Sequence, residues 1–306
     1  MKKTSKTIVF FGSGPVAAKS LRLLAADFTI EAVITKPRPE HHKGDYPVLD
    51  LTRELGLQTI TVNNKTELSS VFADNHFISE IGVVIDYGII IKPDVFNYFK
   101  YGIVNSHFSL LPEWRGADPI SFSILSGQKK TGVSLILIDE GLDEGPLLAQ
   151  SEWRLKPKVS TPELTDELIE LSHSTLTSII PLYIDGKVEP VDQLDSSLSD
   201  TLEPTYSRKL IKTDGILDFV KSAKQLEREV RAFLEWPRSR TTIGETDITV
   251  TKAHVTPGKG LIGGLWPVPK QLGVYTTKDV LVIDSLIPAG KKEMSAEAFL
   301  AGYLLN

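Results

Sequence analysis

Through the first half of the chain, short unbroken apolar runs alternate with stretches whose apolar residues recur at helical spacing. Residues 7–11 (Thr-Ile-Val-Phe-Phe) have the form of a buried strand, and residues 16–24 that of the helix following it. Residues 31–35 make a second strand, closed by Pro37 and Pro39. Residues 48–55 and 65–72 are helical, with a short extended piece, 59–62, between them. Residues 81–85, 102–105 and 133–138 are again continuous apolar runs of strand length. Strands that are apolar on both faces and alternate with helices predict a mostly parallel sheet covered on both sides, an α/β layer. In such a sheet a ligand belongs beyond the carboxyl ends of the strands.

The second half changes period. Thr161-Pro162 opens a long helix, with Thr as N-cap and Pro at the first helical position. Leu164, Leu168, Leu171, Leu176 and Ile179 keep its spacing to near Asp185-Gly186. From 187 to 205 the periodicity is lost, and residues 195–200 hold only Asp, Ser and one Leu, which predicts a linker. An amphipathic helix carrying Leu226, Val230, Phe233 and Leu234 follows. After it come short strands at 240–243, 248–251, 274–276 and 280–283, punctuated by Pro257, Gly258, Gly260, Gly263 and Gly264. Such a run predicts a small β-barrel or sandwich. The expected domains are therefore 1–186 and 206–306, joined by 187–205.

Composition narrows the class. The 306 residues are 41% hydrophobic and 24% charged, which excludes a disordered or collagen-like chain and suffices for two domains with their own cores. The absence of cysteine removes disulfides, thiolate metal sites and a Cys nucleophile. The apolar run 8–11 is too short for a signal peptide, and no segment approaches the roughly 18 apolar residues of a membrane span, so a cytoplasmic protein without a membrane partner is expected. Residues 206–306 hold 15 Lys+Arg against 11 Asp+Glu (net +4), and residues 1–205 hold 19 against 28 (net −9). That split fits a polyanion held by the C-terminal part, and equally a chance asymmetry of surface charge.

Candidate chemistry clusters at strand ends. Gly12-Ser13-Gly14-Pro15-Val16-Ala17 fits the dinucleotide fingerprint G-x-G-x-x-A. However, the second strand ends Ile34-Thr35-Lys36-Pro37 without the acid that would hold a ribose, and Pro15 lacks an N–H for a pyrophosphate. A tight strand-to-helix turn near a substrate is the better reading. His41-His42-Lys43 stands in a Pro-rich loop without metal-ligand spacing, and no metal is expected. The informative stretch is Val104-Asn105-Ser106-His107-Phe108-Ser109-Leu110-Leu111-Pro112-Glu113-Trp114-Arg115-Gly116-Ala117. Strand alternation puts Asn105 and His107 on one side of the chain, at the carboxyl end of the sheet. The loop 139–146 carries Asp139, Glu140, Asp143 and Glu144, any of which could orient an imidazole. From the residues alone, the Asn–His pair is as compatible with a satisfied hydrogen-bonding pair as with catalysis, and the acidic loop with a solvated turn.

Three separated elements, Asn105-x-His107, Ser109-Leu110-Leu111-Pro112-x-Trp114-Arg115-Gly116-Ala117 and Gly141-Leu142-Asp143, together resemble the signature of the folate-dependent formyltransferase family. Tyr206-Ser207-Arg208-Lys209-Leu210, Gln225-Leu226-Glu227-Arg228 with Arg231-Ala232-Phe233 and Trp236-Pro237, and Pro288-Ala289-Gly290-Lys291-Lys292 with Met294 are similar to the second domain of its methionyl-tRNA branch. The resemblance covers nearly the whole chain. It implies a Rossmann-like formyltransferase domain followed by a smaller C-terminal β-barrel, OB-fold-like. It implies transfer of a formyl group from 10-formyltetrahydrofolate to the α-amine of initiator methionyl-tRNA; no metal is expected, since a formamide is already an activated acyl group, and a monomer is expected. By the same resemblance Asn105, His107 and Asp143 are catalytic, and Ser109, Leu110, Leu111 and Pro112 line the folate site with Ile89 and Ile91. Lys36, Arg38, Lys43, Arg208, Lys209, Lys291 and Lys292 would face tRNA. Two features depart from the family pattern. The first turn, Gly12-Ser13-Gly14-Pro15-Val16-Ala17, lacks the aromatic of the family's Gly-Thr-Pro-Asp/Glu-Phe-Ala, and the loop 36–46 is shorter than the family's basic insertion. An amino-sugar nucleotide formyltransferase using the same three residues stays open as the alternative, as does an idle folate-binding module.

Overall fold

In the computed structural model, residues 7–41, 44, 46–194 and 203–303 are described. The chain divides into two units, one of Met1–Gly116, Lys130–Arg154 and Thr165–Tyr206, the other of Ala117–Lys129, Leu155–Leu164 and Ser207–Asn306. The second unit thus draws two segments from within the range 1–186.

The first unit is built on a seven-stranded sheet. Its strands are β1 (Thr7–Phe11), β2 (Thr29–Thr35), β3 (Thr59–Thr61), β4 (Gly82–Val84), β5 (Ile103–His107), β6 (Lys130–Leu137) and β7 (Leu147–Arg154). They lie in the order β3-β2-β1-β4-β5-β6-β7. The first five are parallel, and β6 and β7 are appended antiparallel. Sequence patterning misses β7 because it is an edge strand, buried at Leu147 and Leu148 and then polar and partly exposed through Arg154.

The helices of this unit are α1 (Pro15–Asp27), α2 (Pro47–Leu55), α3 (Lys65–Asp74) and α4 (Pro93–Phe96); α5 (Pro119–Ser126) belongs to the second unit, and α6 (Thr161–Ile184) belongs to the first from Thr165 onward. Pro stands in the first turn of α1, α2 and α4, where its missing N–H costs nothing. At α3 the Asn64 side chain accepts from the N–H groups of Thr66 and Glu67, while the Glu67 carboxylate accepts from Asn63 N. One core cluster includes Val9, Phe11, Ile34, Phe72, Val84 and Phe99. Within it the Phe72 ring meets Phe11 at 6.0 Å and Phe99 at 5.5 Å between centroids. Truncating such a ring to Ala costs about 3–5 kcal/mol.

Strand order reverses at β1: the chain runs outward to β2 and β3, then returns to β4 on the other side. Crevices for ligands form above such a reversal. Here the loops after β1 and β4 meet. Ser13 N donates to Asp86 O at 3.0 Å, and the Ser13 hydroxyl to Tyr87 O at 2.5 Å. The Asp86 carboxylate lies over Gly14, and a Cβ there, 1.8 Å from it, would make that side chain swing aside. That carboxylate fills the mouth of the glycine-rich turn, where a pyrophosphate would meet like charge. The geometry agrees with a strand-to-helix turn rather than a dinucleotide site.

The second unit is centred on a six-stranded antiparallel sheet. Its strands are β8 (Ser239–Ile243), β9 (Thr246–Thr256), β10 (Leu265–Trp266), β11 (Leu272–Tyr275), β12 (Val280–Pro288) and β13 (Met294–Ser295). The order is β8-β9-β12-β11-β10, with β13 paired to β12. Register shifts around Lys252 mark bulges, which increase twist and curl the sheet into an OB-like half-barrel. Leu226 and Val230 of α7 (Ala223–Ala232) and Phe299 of α8 (Ala296–Tyr303) pack into its core with Ile248, Leu281 and Leu286. Helix α5 packs on α7. There Arg228 donates to Ser126 O at 3.2 Å, and the Thr161 hydroxyl donates to Ala232 O at 2.8 Å. Among the described residues no helix is long and apolar enough to cross a membrane, and no group of three or more His, Asp and Glu could hold a metal ion.

Candidate active site

Sequence patterning ends the fifth strand at Asn105. In the structure it continues to His107, which pairs with Ser134 of β6. Asn105 and His107 therefore leave the same side of β5 at its carboxyl end. Asp143 arrives from the loop between β6 and β7, with its backbone at φ +53°, a left-handed conformation that Asp tolerates better than most residues.

The three side chains meet. Asn105 Nδ2 donates to Asp143 Oδ1 at 3.1 Å, and Gly116 N donates to Asp143 Oδ2 at 2.8 Å. His107 Nδ1 stands 3.6 Å from Asp143 Oδ2, an ion-pair distance. The other ring nitrogen, Nε2, is 2.9 Å from Trp114 O. A carbonyl only accepts, so Nε2 carries a hydrogen. Both imidazole nitrogens thus face oxygen acceptors. His107 is buried and Asp143 nearly so, while Asn105 is half-exposed. The arrangement sets an amide donor and an imidazole beside one fixed carboxylate, with the amide partly exposed and the imidazole buried.

The segment after β5 is held by residues that sequence reading passes over. The Ser134 hydroxyl donates to Ser109 O at 2.7 Å and accepts from Leu111 N at 2.9 Å. Gln150 of β7 donates to Leu111 O at 2.6 Å. Ser109, Leu111 and Pro112 are buried and Leu110 is half-buried. Ile89 packs against the core beside buried Ile91, leaving Ile90 between them exposed. A further cluster joins the two loops that flank Asp143. Arg115 is 6% exposed and Gln193 1%. Arg115 donates to Gln193 Oε1 through Nε at 3.2 Å and Nη2 at 2.8 Å, and to Glu144 at 3.0 Å. Arg115 lies in the motif quoted above. Gln193 lies in the expected linker, where nothing in the local pattern signals burial.

The basic residues divide. Lys36 donates to Gly88 O at 3.0 Å, beside the crevice. Arg38 is paired with Asp50 at 3.0 Å, and Lys43 lies outside the described residues. Arg208 makes two bonds to Asp214, at 2.7 and 2.6 Å, which raise its pKa and lower that of Asp214. Arg231 is paired with Glu227 at 2.8 Å. Lys209, Lys291 and Lys292 are exposed.

An α/β sheet with an amide, an imidazole and a carboxylate grouped at one strand end fits a group-transfer enzyme, with groups suited to electrostatic and acid–base work. The family described as formyl transferase matches residues 20–180, and its C-terminal domain matches 209–304. A methionyl-tRNA formyltransferase of Myxococcus xanthus is 35% identical over 303 residues, covering 97% of this chain and 95% of that protein. One of Methylococcus capsulatus is 33% identical over 308 residues, covering 97% of each. The solved N-formyltransferase of Helicobacter canadensis, in complex with folinic acid and dTDP-3-aminofucose, shares the fold with a TM-score of 0.66 at 18% identity, covering 92% of this chain and 99% of that one. This chain belongs to the formyl transferase family, in both of its domains.

Proposed function

We propose that the protein transfers the formyl group of 10-formyltetrahydrofolate to the α-amine of methionine esterified to initiator tRNA, a cytoplasmic step of translation initiation. The observation that carries the chemistry is the Asn105–Asp143–His107 cluster at the end of β5. The acceptor choice rests on likeness to methionyl-tRNA formyltransferases along nearly the whole chain. In this reading the neutral amine attacks the formyl carbon, a C–N bond forms, and negative charge develops on the formyl oxygen. Asn105 gives one amide hydrogen to Asp143 and keeps the other for that oxygen. His107, in its charged form beside Asp143, adds electrostatic stabilisation; losing one such donor typically costs roughly 100- to 1,000-fold in rate. The amine's proton passes through the His107–Asp143 pair to the folate nitrogen as its bond to the formyl carbon breaks. Ser109 to Pro112, with Ile89 and Ile91, would flank the donor. Lys36, Arg38, Lys43, Arg208, Lys209, Lys291 and Lys292 would face the tRNA, with Lys209, Lys291 and Lys292 the more available of those described.

The short 36–46 loop favours a second reading, an amino-sugar nucleotide acceptor using the same three residues. A formyl-transfer assay offering charged initiator tRNA and amino-sugar nucleotides side by side separates the two. Formylated methionyl-tRNA is the expected product, and transfer to the sugar alone would replace the first reading by the second.

A further inference from the structure

We propose that Gln193 is a positioning residue for the reaction, acting through Asp143. The inference rests on the reading of Asp143 as a catalytic group.

The loop that carries Asp143 has little to hold it by burial. Between Ile138, packed on the core at its start, and buried Gly145 near its end, its large apolar residue is Leu142, 64% exposed, and Asp139, Glu140, Asp143 and Glu144 crowd four carboxylates into it. Asp143 also adopts positive φ. Such a loop keeps one geometry only if other groups fix it. Gln193 does so from a buried position. Its Nε2 donates to Asp143 O at 2.8 Å and to Gly145 O at 2.8 Å. Its Oε1 accepts both bonds from Arg115. All four valences of the amide are filled, and only one orientation allows it. Flipped, the amide would set N–H groups against the guanidinium and an oxygen against two carbonyls.

The clamp also joins the two sides of the catalytic carboxylate. Arg115 adjoins Gly116, whose N–H holds Asp143 Oδ2. Gln193 therefore ties the segment that donates to the carboxylate to the backbone that carries it. Gly145 completes the fit, since a Cβ there would stand 1.8 Å from Leu137 O, so the carbonyl that Gln193 grips belongs to a backbone pressed onto β6. Reacting groups displaced by about 1 Å lose on the order of 100-fold in rate. The consequence should therefore appear in turnover rather than in substrate binding.

The test uses the full-length protein, with single-turnover and steady-state formyl transfer to charged initiator tRNA and to amino-sugar nucleotides. Gln193→Met removes both halves of the clamp at similar volume. Gln193→Glu keeps the acceptor for Arg115 and sets an oxygen against the two carbonyls. Both variants should lose roughly 10- to 100-fold in kcat, with KM for donor and acceptor changed less than about threefold. In an Asp143→Asn background the Gln193→Met effect should shrink to less than about threefold, because the group it positions is already disabled. An active wild type whose two variants keep kcat within twofold, or whose Gln193→Met loss is undiminished in the Asp143→Asn background, would overturn the inference. So would failure of both variants to fold, which would make Gln193 a structural residue only. A wild type that transfers formyl to no acceptor would refute the catalytic reading itself, and this inference with it.

Discussion

Asp143→Asn tests the core of the mechanism with the smallest change of shape. The substitution removes the charge that stands 3.6 Å from His107 Nδ1. At an effective dielectric constant near 20, two full charges at that distance interact by about 4–5 kcal/mol. Partial exposure of the Asp143 side chain reduces this to about 2–4 kcal/mol, or roughly 30- to 1,000-fold in kcat. The variant also carries an amide NH₂ where one carboxylate oxygen accepted, so either Gly116 N–H or Asn105 Nδ2–H loses its acceptor. That loss should cost about 1–2 kcal/mol of stability. The assay is single-turnover transfer at saturating donor and acceptor, with a urea melt of the same preparation. Affinity for the folate donor should change little, because the charge acts on the transition state. Combined with His107→Gln, the second substitution should add little to the first, since the two groups act as one. Turnover within threefold of wild type in a folded Asp143→Asn variant would refute the role given to the pair.

Further outcomes follow from other parts of the structure. Gly145→Ala, with its Cβ 1.8 Å from Leu137 O, should lower stability by about 2–3 kcal/mol in a urea titration and reduce kcat as well. Tyr87 Oη is buried without a hydrogen-bond partner among the described residues, so Tyr87→Phe should raise stability by about 1 kcal/mol; a clear loss would count against the assignment. Burial pushes the Tyr87 phenol above its ordinary value of 10.0, so the folded state favours the protonated form, and stability should fall more steeply above pH 10 in wild type than in Tyr87→Phe. Lys209, Lys291 and Lys292 are exposed while Arg208 and Arg231 are engaged by carboxylates; log affinity for tRNA against log salt should therefore slope at about −2 to −3, and replacing the three lysines by Ala should flatten it. Joint Lys36→Ala and Arg38→Ala should raise KM for charged tRNA and leave donor affinity alone, and an unchanged KM would show that this loop stays clear of the acceptor.

Much of the site could be read from local pattern because a strand writes its geometry into alternation. Asn105 and His107, two apart on a buried run, had to share a side at the sheet's carboxyl end. The acidic partner could not be chosen that way. Four carboxylates share the loop, and only its three-dimensional path, with Asp143 at positive φ beneath Asn105 and Gly116, singles one out. Gln193 was invisible for a related reason. Its burial comes from Arg115, far away in sequence, and an amide among polar residues without periodicity looks like linker. Helix α5 left little signal because it is short and apolar with only a weak period. Charge counting located a basic C-terminal region but could not tell Arg208, bound to Asp214, from the exposed Lys209 beside it.

The discontinuous make-up of the second unit bears on how the chain is synthesised. Residues 117–129 and 155–164 belong with a sheet and helix that are translated later. Buried Ile120 and Ile124 of α5 leave the ribosome roughly 100 residues ahead of α7, on the order of 5–20 s at ordinary elongation rates. During that interval the packing that α5 receives from α7 is missing, which gives chaperones a defined window at this place. A stop codon after Tyr206 would make the window permanent. No single cut in the gene separates the two units.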